Sequence, residues 1–263
     1  MGRGEPGSLR AVALPTEHGG WGLTLEPVLL GLAVTPSLAG AGVAAAALAV
    51  FLARRPLRLV AADIRRRQRL PRTAIAAGVL AGCLGMIAAG LAAAACLASG
   101  PWWWPPVAAL PAAAWQIGAD LTRRGREFLA EAAGAVAMGA AAPAIVLAGG
   151  GEVVTACGLW AVLAARSLPS ILLVRAQIRR GRGEPGAAGA THAAHGMALA
   201  GLGGLAAIGT LPWAALGALA ALWLWAGISL ARPPVPARTL GWAQVQAGLL
   251  VVTVTAAGHH LGW

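Results

Sequence analysis

In a chain of 263 residues with only 9 acids, the groups able to do chemistry are few. Glu17 and His18 stand side by side in "PTEHGGW" (15–21), directly before an apolar run. Two readings of the pair are open. An acid at a helix start meets unpaired N–H groups and the positive end of the helix dipole. Alternatively, the pair handles protons or holds a ligand at a cavity mouth, with His18 titrating near neutral pH. Glu26, Glu131 and Arg166 lie within apolar runs, where an ionisable group costs about 2.5–3.5 kcal/mol on insertion scales and so needs a partner or a wet cavity. Arg166 is the most informative of them. It lies about 13 positions into its run, beyond easy snorkelling, beside Ser167, Pro169 and Ser170, which loosen the backbone.

The acids Asp63, Asp120, Glu127 and Glu131 are interleaved with arginines, and Asp120/Arg124 and Glu127/Glu131 have i,i+4 spacing if their segment is helical. Surface salt bridges account for this pattern. So does a pocket that gathers Arg55, Arg58, Arg66, Arg124, Arg166 and Arg175, since guanidinium forks suit phosphate or carboxylate. On that second reading the candidate ligand contacts are Glu17, His18, Trp21, Arg55, Arg58, Asp63, Asp120, Arg124, Glu131, Arg166 and Arg175. His192 and His195 are one turn apart, but no third ligand lies nearby. With no Walker loop, dinucleotide fingerprint, serine elbow or zinc spacing either, neither metal nor cofactor is expected. Cys83, Cys96 and Cys157 fall inside apolar runs and read as small buried hydrophobes.

These groups must be positioned by membrane helices. The chain is 58% hydrophobic and 11% charged, with a mean hydropathy of +0.72, against roughly 25% charged residues in a soluble domain. Apolar segments run at about 22–37, 39–53, 73–98, 103–118, 129–148, 153–174, 194–209, 212–230 and 242–260. Nine transmembrane helices in an all-α integral membrane protein follow, in a single multi-pass domain (1–263) with a polar tail at 1–14. No removable signal peptide is expected, because no cleavage-site pattern follows the first run.

All 20 basic residues are arginine, and the net charge is +11. In a soluble protein that balance would suggest nucleic acid. Here the arginines alternate from side to side, in the tail, "ARRPLRLVAADIRRRQRLPRT", "ADLTRRGRE", "VRAQIRRGRGEP" and "ARPPVPART", so they set topology and no nucleic-acid partner is expected. The positive-inside rule puts the N-terminus and these loops in the cytoplasm and the C-terminus outside. Trp102, Trp103, Trp104, Trp213 and Trp263 fall on the arginine-free side, as interfacial anchors do. "LVAADIRRRQR" (59–69) and "LVRAQIRRGRG" (173–183) end the second and sixth spans, with Asp63 and Gln177 in register 114 residues apart. A four-span repeat and two unrelated basic exit segments explain this equally well.

The stretch "PTEHGGWGLTLEPVLLGL" resembles the start of the YwiC-like family of bacterial multi-pass membrane proteins, at Pro15, Glu17, His18, Gly19, Trp21, Pro27 and Gly31. "RRGREFLAEAAGA" and "RTLGWAQ" are also similar, the latter at Leu240 and Gly241, although Gln244 stands where the family usually has glutamate. This resemblance implies the bacterial inner membrane. More distantly, the span count and the matched segments resemble the UbiA-type prenyltransferase superfamily, which implies a UbiA-like fold. Its catalytic motifs are not carried over. Leu59 and Arg55 precede Asp63 where further acids would stand, and Gln177 sits between Arg175 and Arg179, so no two-metal diphosphate site can be assembled.

The sequence therefore points to a cytoplasm-facing pocket that binds or processes an anionic lipid-soluble ligand, an isoprenoid or lipid phosphate, in the bilayer. A proton-coupled transporter using Glu26, Arg166 and Glu131 is the alternative.

Overall fold

The computed structural model describes residues 18–67 and 70–263, with side chains from Trp21 onward. Glu17 lies outside the described residues, and so does the side chain of His18. The described residues form ten helices: α1 (His18–Val34), α2 (Leu38–Arg65), α3 (Pro71–Leu97), α4 (Trp104–Leu121), α5 (Phe128–Gly139), α6 (Ala141–Ala148), α7 (Val153–Gly181), α8 (Ala188–Ala207), α9 (Trp213–Ala231) and α10 (Ala237–Leu261). Six stretches among them are long and apolar enough to cross a bilayer, counting α5 and α6 as one: α2, α3, α5–α6, α7, α9 and α10. The protein is thus an all-helical, multi-pass membrane protein.

The fifth apolar segment is one span by composition and two helices by structure. The Trp160 indole Nε1 of α7 donates to the Val136 carbonyl at 2.9 Å. Ala140 N, which would normally bond that oxygen, turns to Ala137 O at 3.3 Å. Pro143 lacks the N–H that would bond Gly139 O, so the ladder lapses at Ala140 and restarts as α6. Every residue of α6 is buried. It is the centre of the bundle, with Ile145 against α1 and α2 and Val146 and Leu147 in a cluster with Leu30, Leu159 and Val252.

Two helices overrun their predicted ends. The second apolar segment stops near 53, yet α2 continues to Arg65; the sixth stops near 174, yet α7 continues to Gly181. Both extensions carry arginines on one face and bury small or polar groups on the other, including Asp63 and Gln177. By contrast, the "TRRGRE" segment is not helical. Arg123 takes a left-handed conformation (φ 62°) after α4, so the i,i+4 pairing of Asp120 with Arg124 does not form.

The connections fall into two sets that contact each other within each set. Arg65 Nη2 donates to Leu121 O at 2.8 Å, Arg175 Nη1 to Arg126 O at 2.8 Å and Arg180 Nη2 to Arg232 O at 3.0 Å. At the opposite ends, Ser99 N donates to Ala148 O at 3.1 Å, and a His260 ring nitrogen lies 2.8 Å from Ala33 O. Among the described residues, arginine-bearing connections thus contact one another, and so do arginine-free ones. Among the tryptophans expected as anchors, Trp103, Trp213 and Trp263 are exposed, while Trp102 and Trp104 pack against the core.

Candidate functional site

The deepest charged group is held by three helices at once. Arg166 lies midway along α7, and its side chain is 3% exposed. Its Nη2 donates to Glu26 Oε1 of α1 at 2.9 Å and to the Gln244 carbonyl of α10 at 2.7 Å. Nη1 donates to Ser170 Oγ at 2.6 Å and to Gln244 Oε1 at 3.2 Å. The Ser170 hydroxyl in turn donates to Arg166 O at 2.8 Å, one turn back on the same helix. Glu26 is ninth in a helix of 17 residues, roughly 12 Å from its start at 1.5 Å per residue. The pair thus crosses the middle of the bundle, where an unpartnered charge is most costly.

This centre is not saturated. Arg166 Nε and Gln244 Nε2 are buried without a hydrogen-bond partner among the described residues, as are His195 Nε2 on α8 and Thr255 Oγ1 on α10. The orientation of the Gln244 amide follows from its neighbour, because an N–H donor from Arg166 must meet the amide oxygen.

In front of the pair, α1 and α10 leave a groove of about 290 Å³ lined by Trp21, Gly22, Leu25, Glu26 and Leu29 on one side and Gly241, Trp242, Val245 and Leu249 on the other. Its α1 contributors recur at helical spacing and its α10 contributors do the same, so each helix presents one stripe. Among the described residues, Glu26 is the one ionisable group in its lining; Arg166 and Gln244 stand behind it. Two glycines let the helices and the carboxylate fit. A Cβ on Gly22 would lie 3.3 Å from Glu26 Oε1, and one on Gly248 would overlap the carboxylate. Trp21 is braced by Phe51 of α2, ring centroids 5.1 Å apart in an edge-to-face arrangement.

The other nominated residues sit in separate local clusters. Asp120 accepts from Arg54 Nη2 at 2.7 Å and from Gln116 Nε2 at 3.1 Å, with Arg58 Nη1 at 3.9 Å. Asp63 is buried at the end of α2 and is held by Arg72 Nη2 at 3.0 Å and Thr73 Oγ1 at 2.7 Å, both from α3. Glu131 Oε2 accepts from Arg175 Nη1 at 3.0 Å. Arg124 forks onto Glu127 at 2.6 and 3.0 Å, exposed in its turn. Arg55 is half-buried on α2. Gln177, in register with Asp63, is buried too, but its Nε2 donates to Ser229 O at 2.6 Å and Ser229 Oγ at 2.8 Å on α9. His192 Nδ1 accepts from the Trp223 indole at 3.0 Å. Among the described residues no three His, Cys, Asp or Glu side chains are placed to share a metal ion.

Of the nominated residues, then, the structure joins Arg58 to Asp120, Glu131 to Arg175, and Trp21 to the region of Arg166 through Glu26. Nomination missed Gln244, Ser170, Gly22, Leu25 and Trp242. Gln244 and Trp242 belong to the "RTLGWAQ" segment, which packs directly against the helix begun by "PTEHGGW", so the two distinctive segments of the sequence meet at this groove.

A bundle of apolar helices with a charged pair at its centre and its basic connections gathered at one end defines a multi-pass integral membrane protein. A family model described as "YwiC-like protein" matches residues 14–146, just over half of the chain, and the protein belongs to the YwiC-like family. The match takes in α1 and Glu26 but ends before α7 and α10, which supply Arg166 and Gln244. No curated protein and no solved structure matches the chain.

Proposed function

We propose that this protein is a single membrane domain of the bacterial inner membrane, with nine crossings and its arginine-bearing connections in the cytoplasm, and that it binds a membrane-soluble amphiphile in the α1–α10 groove. The observation that carries this reading is the groove itself. It is apolar along both walls and flanked by two tryptophans, and it backs onto one buried ion pair. Such a site suits an isoprenoid-like chain, which can enter from the bilayer between two helices. The phosphate head group inferred from the arginine count has less support, because Arg54 and Arg58, Arg72, Arg124 and Arg175 each face a carboxylate of this chain.

A UbiA-like arrangement belongs to the same reading. The burial of Asp63 and Gln177 at matched helix ends supports it, although each is bound to a different neighbour. The proton-coupled transporter draws support from the depth of Glu26–Arg166. Glu131, its third member, instead pairs with Arg175 at the arginine-bearing end.

Leu25→Trp tests the groove. Leu25 is a partly exposed wall residue, and an indole there would fill the space without touching the ion pair. A photoreactive C15 isoprenoid alcohol in lipid nanodiscs is expected to label peptides spanning 21–29 and 241–249. In Leu25→Trp that labelling should fall about ten-fold, with no change in melting temperature. Labelling confined to other helices, or unchanged in the variant, would overturn the site.

A further inference from the structure

If the α1–α10 groove is the binding site, the residue beyond its open end selects the head group. We propose that the occupant is anionic, a phosphate carried on a membrane-soluble chain, and that Arg238 receives it where the groove meets the bilayer surface. This inference rests on the groove reading above and adds a residue and a charge to it.

The groove has a direction. α1 and α10 run side by side in the same sense, since Ala33 near the end of α1 meets His260 near the end of α10. Trp21, Gly22, Gly241 and Trp242 therefore mark one end of the groove, and Leu29 and Leu249 the other, about 12 Å away at 1.5 Å per residue. The tryptophan end is the arginine-bearing end, because α10 begins at Ala237 in the basic connection that follows α9. Indole rings settle between lipid head groups and acyl chains, so the head group of a bound amphiphile belongs beyond these two rings. The walls below are apolar, and a polar group placed deeper would lose its water for no partner.

One turn further out on α10 stands Arg238. It precedes Gly241 and Trp242 by three and four positions and Val245 by seven, so it shares their helical stripe. Arg238 is exposed, and among the described residues it has no carboxylate partner. The described acids of this end are engaged elsewhere: Asp63 by Arg72, Asp120 by Arg54, Glu127 by Arg124, Glu131 by Arg175 and Glu184 by Arg179. A guanidinium with no counter-charge in that set, set above an apolar groove, is complementary to an oxyanion set above an apolar chain. Its planar fork fits a phosphate through two parallel hydrogen bonds. A cationic head group would be repelled there, and an uncharged one would leave the charge unmatched.

The test uses the full chain in zwitterionic nanodiscs and two C15 isoprenoids, the alcohol and its phosphate monoester, each displacing the photoreactive alcohol from the groove peptides. The phosphate is expected to displace the probe at about five-fold lower concentration, the scale of one guanidinium acting near the membrane surface. Arg238→Gln should remove that advantage and leave displacement by the alcohol unchanged. Glutamine is a comparable helix former, so the melting temperature should hold. Arg232→Gln removes the same charge from the same connection but outside the α10 stripe, and the preference should persist. Phosphatidylglycerol in the nanodisc identifies the source. Probe labelling that it lowers in the wild type but not in Arg238→Gln assigns the phosphate to a bilayer phospholipid; labelling that holds assigns it to a single-chain phosphate. Equal displacement by alcohol and phosphate, as an Arg238 already neutralised would give, overturns the head-group assignment and leaves the groove standing. So does a preference that survives Arg238→Gln or is lost equally in Arg232→Gln. If neither compound displaces the probe, the groove reading fails and this inference falls with it.

Discussion

Arg166→Leu is expected to lower stability by about 3–5 kcal/mol, the usual consequence of removing one partner of a buried ion pair. The loss arises less from the missing attraction than from what is left behind. Glu26 stays 5% exposed in its side chain, and Ser170 Oγ, Gln244 Oε1 and the Gln244 carbonyl lose a shared donor. Intrinsic tryptophan fluorescence during heating in mild detergent, together with the fraction of monodisperse protein, measures it. The paired substitution Glu26→Leu/Arg166→Leu distinguishes the mechanism. With both charges gone, the bundle keeps its apolar volume and leaves no charge without a counterpart, so most of the stability should return. A single variant that melts like the wild type, or a double variant worse than either single one, would show that the pair does not hold α1, α7 and α10 together.

The second large effect lies between α2 and α3, neighbouring helices of 28 and 27 residues. Gly42 and Gly90 face each other where these helices cross: a Cβ on Gly42 would lie 2.7 Å from Gly90 O, and one on Gly90 would overlap Gly42 O and lie 3.1 Å from Ala46 N. Membrane helices approach closely through such small residues because packing, not water exclusion, holds them together. Gly90→Leu should therefore force the hairpin apart and cost about 3 kcal/mol, the upper part of the overpacking range. Gly82→Leu, on the same helix with nothing within 4 Å of its would-be Cβ, is the control and should change the melting temperature little. Equal melting of the two variants would show that the crossing is not tightly packed. Because α3 also supplies Arg72 and Thr73 to Asp63, Gly90→Leu is expected to expose Asp63 as well, which protection from carboxyl-modifying reagents would reveal.

Length and hydropathy alone reach the helical class and every apolar segment, since a run of small and branched apolar residues has one stable form in lipid. The break at Ala140 is not legible in the same way, because it depends on a tryptophan of another helix taking the Val136 carbonyl. The extensions of α2 and α7 were hidden for a related reason: arginine reads as the end of a span, while helical geometry continues past the bilayer surface. At the site, Arg166 and Glu26 were visible as charges at the wrong depth. Their partnership was not, because they lie 140 residues apart and any acid at similar depth would have satisfied the same argument. Gln244 carried no charge and Gly22 no side chain, so neither gave a signal in composition or spacing. The arginine clusters misled in the opposite direction. Residues rich in donors suggested one shared anion site, whereas Arg54, Arg58, Arg72 and Arg175 face carboxylates on neighbouring helices and Arg124 pairs with Glu127 within its own turn.

The separation between Glu26 and Arg166 also sets an order in time. At synthesis rates of roughly 5–20 residues per second, the helix bearing the acid leaves the ribosome about 7–28 seconds before the guanidinium that will neutralise it. During that interval α1 is a short helix of 17 residues with an acid at its midpoint, a poor candidate for independent insertion. Its stable placement must wait for α7. Assembly of this protein is therefore expected to run backwards along the chain at its centre, with a later helix recruiting an earlier one into the bilayer.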